Sequence, residues 1–415
     1  MQDKDTTSST FFQLFNPILS INLWTKIKLI FPKLDKGIKK LTAQGLILLL
    51  AHAQLQEYGA LKEISGSVKN QHFSQELGLD SISTSTISRR LRDLPIGVTE
   101  QLFKECIHSV ALKKGFSATH QKLGHLNLID SSTMTLCLSR YRWAEFKKTK
   151  SGVKLHLRLK FDGDVCPDKA VITPAKTADR KLLEELVVED KNAINVFDRG
   201  YYDYKKFDEF CDNGVRFVTR LKDNAVMEII GERLVEEESP IEEDVDVILG
   251  SGSKRMKNKL RLITVYDSEN KPVTIVTDIF DLSKEEIADI YLHRWQIELF
   301  FKWLKQHAQI KHFYGLSKSA VINQLFVALL TYCLLLILKL EINYKGDLLK
   351  IQREVKACLF EAFQEFLRKF FAKYGRSTRG RRRLKNDTIF AYTKLQVLSG
   401  DIELLNSTEY DPVIL

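Results

Sequence analysis

Four polar residues of different chemistry recur at helical spacing in one late, apolar stretch of the chain. They are Tyr291, Arg294, Glu298 and Lys305, and at 100° per residue a helix places all four on one arc about 60° wide. The other positions in this stretch are mainly Leu, Ile, Phe and Trp. Such a helix is predicted to be buried, with its narrow polar face directed at a functional cavity or a partner. The alternative is a core helix whose Arg, Glu and Lys pair with one another.

Two aspartates are predicted to follow apolar strands and so to join Glu298. Asp130 ends the run LNLID, and Asp198 follows the run AINVF. If these strands are neighbours in a sheet, the two carboxylates lie side by side and the late helix can bring Glu298 over them. A strand-end or turn cap is the ordinary explanation for any one of these aspartates, so the prediction depends on the three acids together.

Three clustered carboxylates repel one another, and bound divalent cations remove that cost. Hard oxygen ligands without His or Cys favour Mg²⁺ or Mn²⁺. Two such ions about 4 Å apart can activate a water or a 3′-hydroxyl on one side of a phosphate and stabilise the leaving oxygen on the other. The three acids therefore predict a two-metal site with Mg²⁺ or Mn²⁺ as cofactor.

The elements that would hold these acids alternate between strands and helices. The run VKLHLRLKF alternates apolar and polar residues, as a strand does, and three further short apolar strands follow, with helical stretches between the last of them. The order β-β-β-α-β-α-β predicts an α/β fold with a mixed five-stranded sheet and helices on its faces. Lys154, His156 and Arg158, on the polar side of the second strand, are expected to be solvated.

The composition shifts along the chain and predicts five segments. A capping box, Ser283 with Glu286, is expected to start the late helix. The segments are a helical N-terminal domain (1–120), the first part of the core (121–224), a β-rich insertion subdomain (225–282), the second part of the core with the late helix (283–345), and a helical, basic C-terminal region (346–415).

Net charge favours a polyanionic partner. The chain carries a formal charge of +10 and has a pI of about 9.1, which is typical of proteins that bind nucleic acid. Ser83–Leu94 is predicted to be the second half of a helix-turn-helix, with Arg89 and Arg90 facing a DNA groove. The alternative is a solvated surface helix.

A second basic group lies near the C-terminus. Residues 373–385 include seven Lys or Arg and no acid, and this tail is expected to contact phosphates or to form a solvated loop. Its central residues are Arg381, Arg382 and Arg383.

The remaining composition is ordinary for an intracellular protein. The six cysteines form no CxxC pair, which argues against a zinc site or a disulfide framework. The N-terminus lacks the features of a signal peptide. The most apolar run, Leu325–Leu338, is short for a membrane span and is predicted to be a buried helix. We therefore expect a soluble cytoplasmic protein that contacts no membrane.

These residues resemble those of the DDE transposases of bacterial insertion sequences, specifically the insertion-sequence-4 family. The signature of that family is Tyr, two residues, Arg, three residues, Glu, six residues and Lys, and the arc described above matches it without departure. The two aspartates stand in NLIDSSTM and VFDRGYYDY, both in the style of the family. The resemblance covers roughly residues 120 to 345.

The resemblance implies a ribonuclease-H-like fold and assigns roles to the residues of the two motifs. Asp130, Asp198 and Glu298 would form the catalytic, metal-binding triad. The other three residues of the signature, Tyr291, Arg294 and Lys305, would hold the DNA backbone near the cleavage site. Independently of the resemblance, Arg199 is either a further phosphate contact or a salt-bridge partner.

The expected function is cut-and-paste transposition. The enzyme would bind double-stranded DNA at the terminal inverted repeats of its element, cleave the strand there, and use the freed 3′-hydroxyl to attack target DNA. Synapsis of two ends makes a homodimer the expected assembly, acting in the bacterial cytoplasm on chromosomal or plasmid DNA. Two alternatives stay open: an endonuclease of the same fold without strand transfer, and a non-catalytic DNA-binding protein derived from a transposase.

Overall fold

The structure is a computed structural model that describes residues 8–114, 125–162, 164–233, 235, 241–266 and 271–372. A large mixed sheet lies at its centre, with apolar side chains packed on both faces. The helices are α1 (Thr10–Leu19), α2 (Ile21–Ile30), α3 (Ala43–Gln56), α4 (Leu61–Ser67), α5 (Gln71–Leu77), α6 (Thr84–Asp93), α7 (Ile96–Lys114), α8 (Leu183–Leu186), α9 (Tyr204–Asn213), α10 (Lys284–Leu292), α11 (Trp295–His307), α12 (Lys318–Glu341), α13 (Leu348–Cys358) and α14 (Phe363–Phe370). The strands are β1 (His125–Leu136), β2 (Glu145–Lys147), β3 (Lys150–Asp162), β4 (Asp164–Pro174), β5 (Ala193–Phe197), β6 (Arg216–Arg220), β7 (Met227–Glu232), β8 (Ile241–Leu249), β9 (Leu260–Tyr266) and β10 (Pro272–Thr277).

The five strands predicted from the sequence form the core of the sheet. Their order is β4-β3-β1-β5-β6, with β1 central. β1 pairs antiparallel with β3 and parallel with β5, and β5 pairs parallel with β6. Parallel neighbours need a crossover connection, which α9 provides between β5 and β6. The predicted mixed sheet with flanking helices is confirmed.

The predicted insertion is β-rich, but it continues the core sheet. β10 pairs antiparallel with β6, with Ile275 opposite Arg220, and β9, β8 and β7 follow in order. The sheet described here therefore has ten strands, and the prediction of five was too small. The physical reason is that β6 alone would end the sheet with unpaired backbone groups, which β10 satisfies.

The polar side of β3 is buried, contrary to the expectation of a solvated face. The His156 ring is fully buried, and Lys154 donates to Asp179 at 3.0 Å. Arg158 donates from Nε to Asp168 at 2.6 Å. The segment after β4 covers this face of the sheet, so the charged residues of β3 need carboxylate partners there.

The predicted buried helix forms and organises the helical part of the molecule. α12 packs against α7, α3 and α6, and its hydroxyl N-cap, Ser317, accepts from the Ala320 amide. Among the described helices, α12 alone is long and apolar enough to cross a membrane. Its most apolar part is wholly buried inside the protein. Its buried Asn323 donates to the Leu94 carbonyl at 2.9 Å, which ties α12 to the end of α6.

The late stretch forms two helices, where one continuous helix was predicted. The capping box of Ser283 and Glu286 starts α10 as expected. The chain then tightens at His293 and Arg294, where the Arg294 amide bonds the Tyr291 carbonyl three residues back. Both residues keep right-handed helical backbone angles, so this short turn changes the direction of the helix without reversing it.

A buried ion pair tests whether the insertion folds together with the core. Asp244 of β8 bonds Arg261 of β9, both almost fully buried, and Arg261 also donates to the Leu282 carbonyl at 2.6 Å. Because Asp244→Ala leaves a buried guanidinium without its partner, we expect the free energy of unfolding to fall by about 3–5 kcal/mol. Urea unfolding should show one transition that shifts as a whole. The matched control is Asp281→Ala, which breaks the exposed pair with Arg216 and should change stability much less; a separate early transition in Asp244→Ala would contradict a fused sheet.

Candidate active site

The sheet places Asp130 and Asp198 next to each other. β1 and β5 run parallel with Ile129 opposite Phe197, so the next residue on each chain is one of the two aspartates. β5 ends at Phe197 and the chain turns into the short 3₁₀ helix Arg199–Tyr201, whereas β1 continues to Leu136. Asp130 therefore lies within its strand, and the prediction that it ends the strand was wrong. The register nevertheless sets the two aspartates next to each other, as predicted.

Arg294 connects Asp130 with Glu298. α11 packs against β1, and Glu298 lies in its first turn. The Arg294 guanidinium donates from Nη2 to Glu298 Oε1 at 2.7 Å, and its Nη1 lies 3.6 Å from Asp130 Oδ2. The ion pair expected under the core-helix alternative thus forms, and it reaches the strand acid as well.

Asp130 feels the charges of the other two acids. Burial, together with the negative charges of Asp198 and Glu298, raises the pKa of Asp130 to about 6. The Ser131 amide, which donates to Asp130 Oδ1 at 2.7 Å, and the Arg294 guanidinium act in the opposite direction. A buried carboxylate with a raised pKa is expected at a site where a cation would stabilise the ionised form.

The three acids do not yet form a closed ligand set. Within the described residues, no three His, Cys, Asp or Glu side chains lie close enough together to hold an ion. The residues fit a divalent metal in donor type, burial and excess negative charge, while Arg294 takes the place of the cation between Asp130 and Glu298. A metal would bind to Asp130, Asp198 and Glu298 once Arg294 is displaced from them.

Tyr291 and Arg294 form the inner wall of the site. The Tyr291 ring is buried, with the Arg294 guanidinium 5.6 Å from its centroid, and burial raises the pKa of its phenol. Sequence reasoning missed Arg220, although it ends a predicted strand. The parallel register sets Phe197 opposite Thr219, so Arg220 lies beside Asp198.

An open cleft of about 540 Å³ runs from the acids along α11. Asp130 and Glu298 line one end, and Lys302, Lys305 and Lys311 line the other. Burial lowers the pKa of Lys305, and the positive charge of Lys311 lowers it further. No carboxylate among the described residues lies within ion-pair distance of Lys305. The sequence analysis did not predict Lys302 and Lys311 as residues of the site. Lys302 could have been found from its position one helical turn before Lys305.

The other predicted DNA contacts lie outside this cleft or outside the described residues. Arg199 is about half exposed and lies 3.6 Å from Asp223, and Arg89 is exposed on α6. Arg90 is buried; it pairs with Asp35 and donates to the Leu41 carbonyl at 2.9 Å. The prediction that Arg90 faces DNA is therefore wrong, because its charge is already satisfied inside the helical region. Arg381, Arg382 and Arg383 lie outside the described residues.

β1 lies at the centre of the five core strands, antiparallel to β3 and parallel to β5, with β4 next to β3 and β6 next to β5. This topology, with acids on β1, after β5 and on a late helix, is the one expected of a ribonuclease-H-like enzyme of the DDE type. Residues 124–334, about half of the chain, match the family described as the transposase DDE domain. The chain belongs to this family of DNA transposases. Membership makes it an enzyme that binds DNA and depends on a divalent metal.

Relatives named as transposases agree with this assignment. The chain is 30% identical over 297 residues to a protein of Geobacillus stearothermophilus named as a probable transposase for insertion sequence element IS5377, an alignment that covers 71% of this chain and 74% of the relative. A protein of Synechocystis named as a transposase for element IS4SA is 27% identical over 293 residues, covering 68% and 79%. The structure of the piggyBac transposase synaptic complex with hairpin DNA is similar at a TM-score of 0.46 and 10% identity, over 92% of this chain and 84% of that one.

Removal of Arg294 tests its position between the acids. In Arg294→Ala without metal, we expect the free energy of unfolding to fall by about 1–3 kcal/mol, since two half-buried carboxylates lose a charged donor. Mn²⁺ should then raise the melting temperature more than in the wild type, because no guanidinium competes for the acids. Melting curves with and without Mn²⁺ measure both effects. Lys305→Ala serves as the control, because Lys305 has no acidic partner among the described residues. A weaker Mn²⁺ response in Arg294→Ala than in the wild type would show that Arg294 does not occupy the position between the acids.

Proposed function

We propose that this transposase carries out cut-and-paste transposition of an insertion sequence, by metal-dependent strand cleavage followed by attack of the 3′-hydroxyl on target DNA. The observation that carries the proposal is that Asp130 and Glu298 line a cleft together with Lys302, Lys305 and Lys311, while the charge of Asp198 acts on Asp130. Acids alone would repel a DNA backbone, and lysines alone would bind it without cleaving it. Both together are what a phosphoryl-transfer site on DNA requires.

The three acids are proposed to be the catalytic and metal-binding residues. Two Mg²⁺ or Mn²⁺ ions, when bound, supply the positive charge that activates the attacking oxygen and stabilises the leaving one. The protein contributes the fixed placement of the ligands. Asp130 lies on β1 and Asp198 directly follows the adjacent strand β5, while Glu298 lies on α11.

Arg294 is proposed to exchange partners during DNA binding. Without metal it holds Glu298 and Asp130 together. If those acids held a divalent metal, the guanidinium would be free to leave them, and its planar fork could bind a backbone phosphate in two places. Tyr291, beneath Arg294, would support it in both positions and offer its own hydroxyl.

The lysines along the cleft are proposed to hold the strand through its phosphates. Lys305 is the member nearest the signature, and Lys302 and Lys311 extend the positive surface. Such contacts fix the register of the strand without reading its sequence. Arg199 and Arg89 are exposed and are proposed as outer phosphate contacts, together with the basic tail outside the described residues.

The partners follow from the reaction. We propose that the enzyme acts on the terminal inverted repeats and on target DNA, with the N-terminal helices contributing to end binding. Because two ends must be joined in one event, a homodimer is proposed for the synaptic complex. The site of action is the bacterial cytoplasm, on chromosomal or plasmid DNA.

The triad is tested by charge removal at nearly constant shape. Asp130→Asn, Asp198→Asn and Glu298→Gln should each lower the cleavage rate on end-containing DNA by about a hundredfold or more, while binding of that DNA stays near the wild-type value. A gel assay of nicking and strand transfer, paired with a binding titration, measures both. Asp289→Asn, which changes an exposed carboxylate of α10 next to His293, is the control and should cleave normally. If one of the three variants cleaves at the wild-type rate, the residue it changes is not part of the active site.

The lysine contacts are tested by the salt dependence of binding. Lys302→Ala and Lys311→Ala should each weaken DNA binding and reduce the slope of log affinity against log salt by about one unit, because each phosphate contact releases one counterion. The loss should be equal for element-end and random DNA. Lys169→Ala is the control, since Lys169 bonds the Glu185 carbonyl on the opposite face of the sheet. An unchanged slope in either variant would show that the lysine does not contact the strand.

A further inference from the structure

A partly buried polar cluster lies on the opposite face of the sheet from Asp130. In the antiparallel pair of β1 and β3, Ser131 lies opposite His156 and Thr133 lies opposite Lys154, so all four point to one face. Asp130, as the neighbour of Ser131, points to the other face. Of the four residues, only Ser131 also lines the cleft described above, so the cluster contacts the catalytic strand at the residue next to Asp130.

Asp179 is the centre of this cluster. It begins the 3₁₀ helix Asp179–Leu182 after β4. The Ser131 hydroxyl donates to its Oδ1 at 2.6 Å, and Lys154 Nζ donates to both of its oxygens at 3.0 and 3.1 Å. His156 Nδ1 lies 3.5 Å from the same Oδ1, and burial lowers the pKa of this ring to about 4, so it is neutral at pH 7. One carboxylate thus satisfies a buried lysine and anchors two strands.

The contact with Ser131 reaches the first catalytic acid. The Ser131 side chain is held by Asp179, while its backbone amide donates to Asp130 Oδ1 at 2.7 Å. Movement of Ser131 would therefore turn the Asp130 carboxylate. A hydrogen bond at the residue next to a ligand is a common way of fixing ligand orientation.

Asp179 also lies against the loop that carries the second catalytic acid. Gly200, two residues after Asp198, is so close that a side-chain carbon there would be 3.6 Å from Asp179 Oδ2. The Tyr201 side chain is buried, and burial together with the charges of Asp130 and Asp179 raises the pKa of its phenol. The Asp179 carboxylate thus packs between the segment that follows Asp130 and the segment that follows Asp198.

We propose that Asp179 is a positioning residue for the reaction: it fixes Ser131 and the loop after β5 so that Asp130 and Asp198 present their carboxylates to a common ion. This inference rests on the proposed metal role of the two acids. Asp179 itself touches neither substrate nor ion, and it acts through Ser131 and the Gly200 loop. Its ion pair with Lys154 holds the half-buried carboxylate in place.

A matched ion pair on the same face separates positioning from general stability. Asp168 of β4 pairs with Arg158 of β3, with side-chain exposures of 12% and 16%. Its side-chain partners are Arg158 and Lys160, not Ser131 or the loop after β5. Asp179→Ala and Asp168→Ala both break a buried pair and should both lower the melting temperature. Only Asp179→Ala should change the response to metal.

The experiment titrates the full-length protein with Mn²⁺ in two assays. The first measures the rise in melting temperature without DNA, and the second measures cleavage of end-containing DNA. For Asp179→Ala we expect the Mn²⁺ concentration at half-effect to rise about 10–100-fold in both assays, the usual effect of losing a group that orients a ligand. Asp179→Asn, which keeps an oxygen for Ser131, should fall between this variant and the wild type. Asp168→Ala should match the wild type.

Ser131→Ala keeps the test decisive if Asp179→Ala does not fold, because it removes only the hydroxyl that Asp179 holds. It should shift the half-effect in the same direction by about tenfold. The proposal is overturned if Asp179→Asn and Ser131→Ala both respond to Mn²⁺ as the wild type does, or if Asp168→Ala shifts equally. A wild-type protein stabilised by Mn²⁺ but unable to cleave element ends would overturn the proposed function and leave the test of Asp179 valid.

Discussion

Repulsion between carboxylates held close together in a poorly hydrated cleft is the constraint on which the rest of this structure depends. Asp130 and Asp198 are brought side by side by the backbone register of β1 and β5, and neither can move away without breaking the sheet. Burial and the neighbouring charges raise the pKa of Asp130 to about 6. The fold offsets this cost locally with one cation, Arg294, and the cost is relieved fully only when a divalent ion binds. Metal binding is thus favoured by the way the sheet is built.

The surrounding structure divides into parts that are rigid and one part that can adjust. The ten-stranded sheet sets the positions of the two aspartates, and Asp179 holds Ser131, the residue next to Asp130. Glu298 is held by a helix that begins after a tightened turn at His293 and Arg294. In the proposed mechanism, Glu298 would approach the aspartate pair once a metal takes the place of Arg294, and the sheet would keep the aspartates in position. A phosphate bound in the basic cleft would lie beside Glu298.

Much of this site could be predicted because its residues follow strict positional rules. An acid at a given position of a strand has its direction fixed by the two-residue period, and parallel strands set their equivalent residues side by side, so Asp130 and Asp198 were found together. Glu298 was found because four polar residues share a face of an otherwise apolar helix.

What could not be predicted depends on contacts between residues far apart in sequence. The face that α6 buries is set by Asp35, which pairs with Arg90, and nothing in the local pattern indicates this. Asp179 lies in a connection without a motif, so its role is visible only through Ser131 and Gly200. The turn before α11 escaped prediction because that stretch contains neither Gly nor Pro. The joining of β10 to β6 likewise follows from the need to cover a sheet edge.

The central claim is that Asp130, Asp198 and Glu298 converge on one divalent ion site, and iron-directed cleavage of the protein chain tests it most directly. Fe²⁺ accepts the same type of oxygen ligands as Mg²⁺ and Mn²⁺, and with ascorbate and peroxide it generates radicals that cut the backbone beside the bound ion. Mapping the fragments by mass spectrometry should show cuts near all three acids, all suppressed together by excess Mg²⁺. Cuts near only one of the three, or at positions remote from them, would contradict a common metal site.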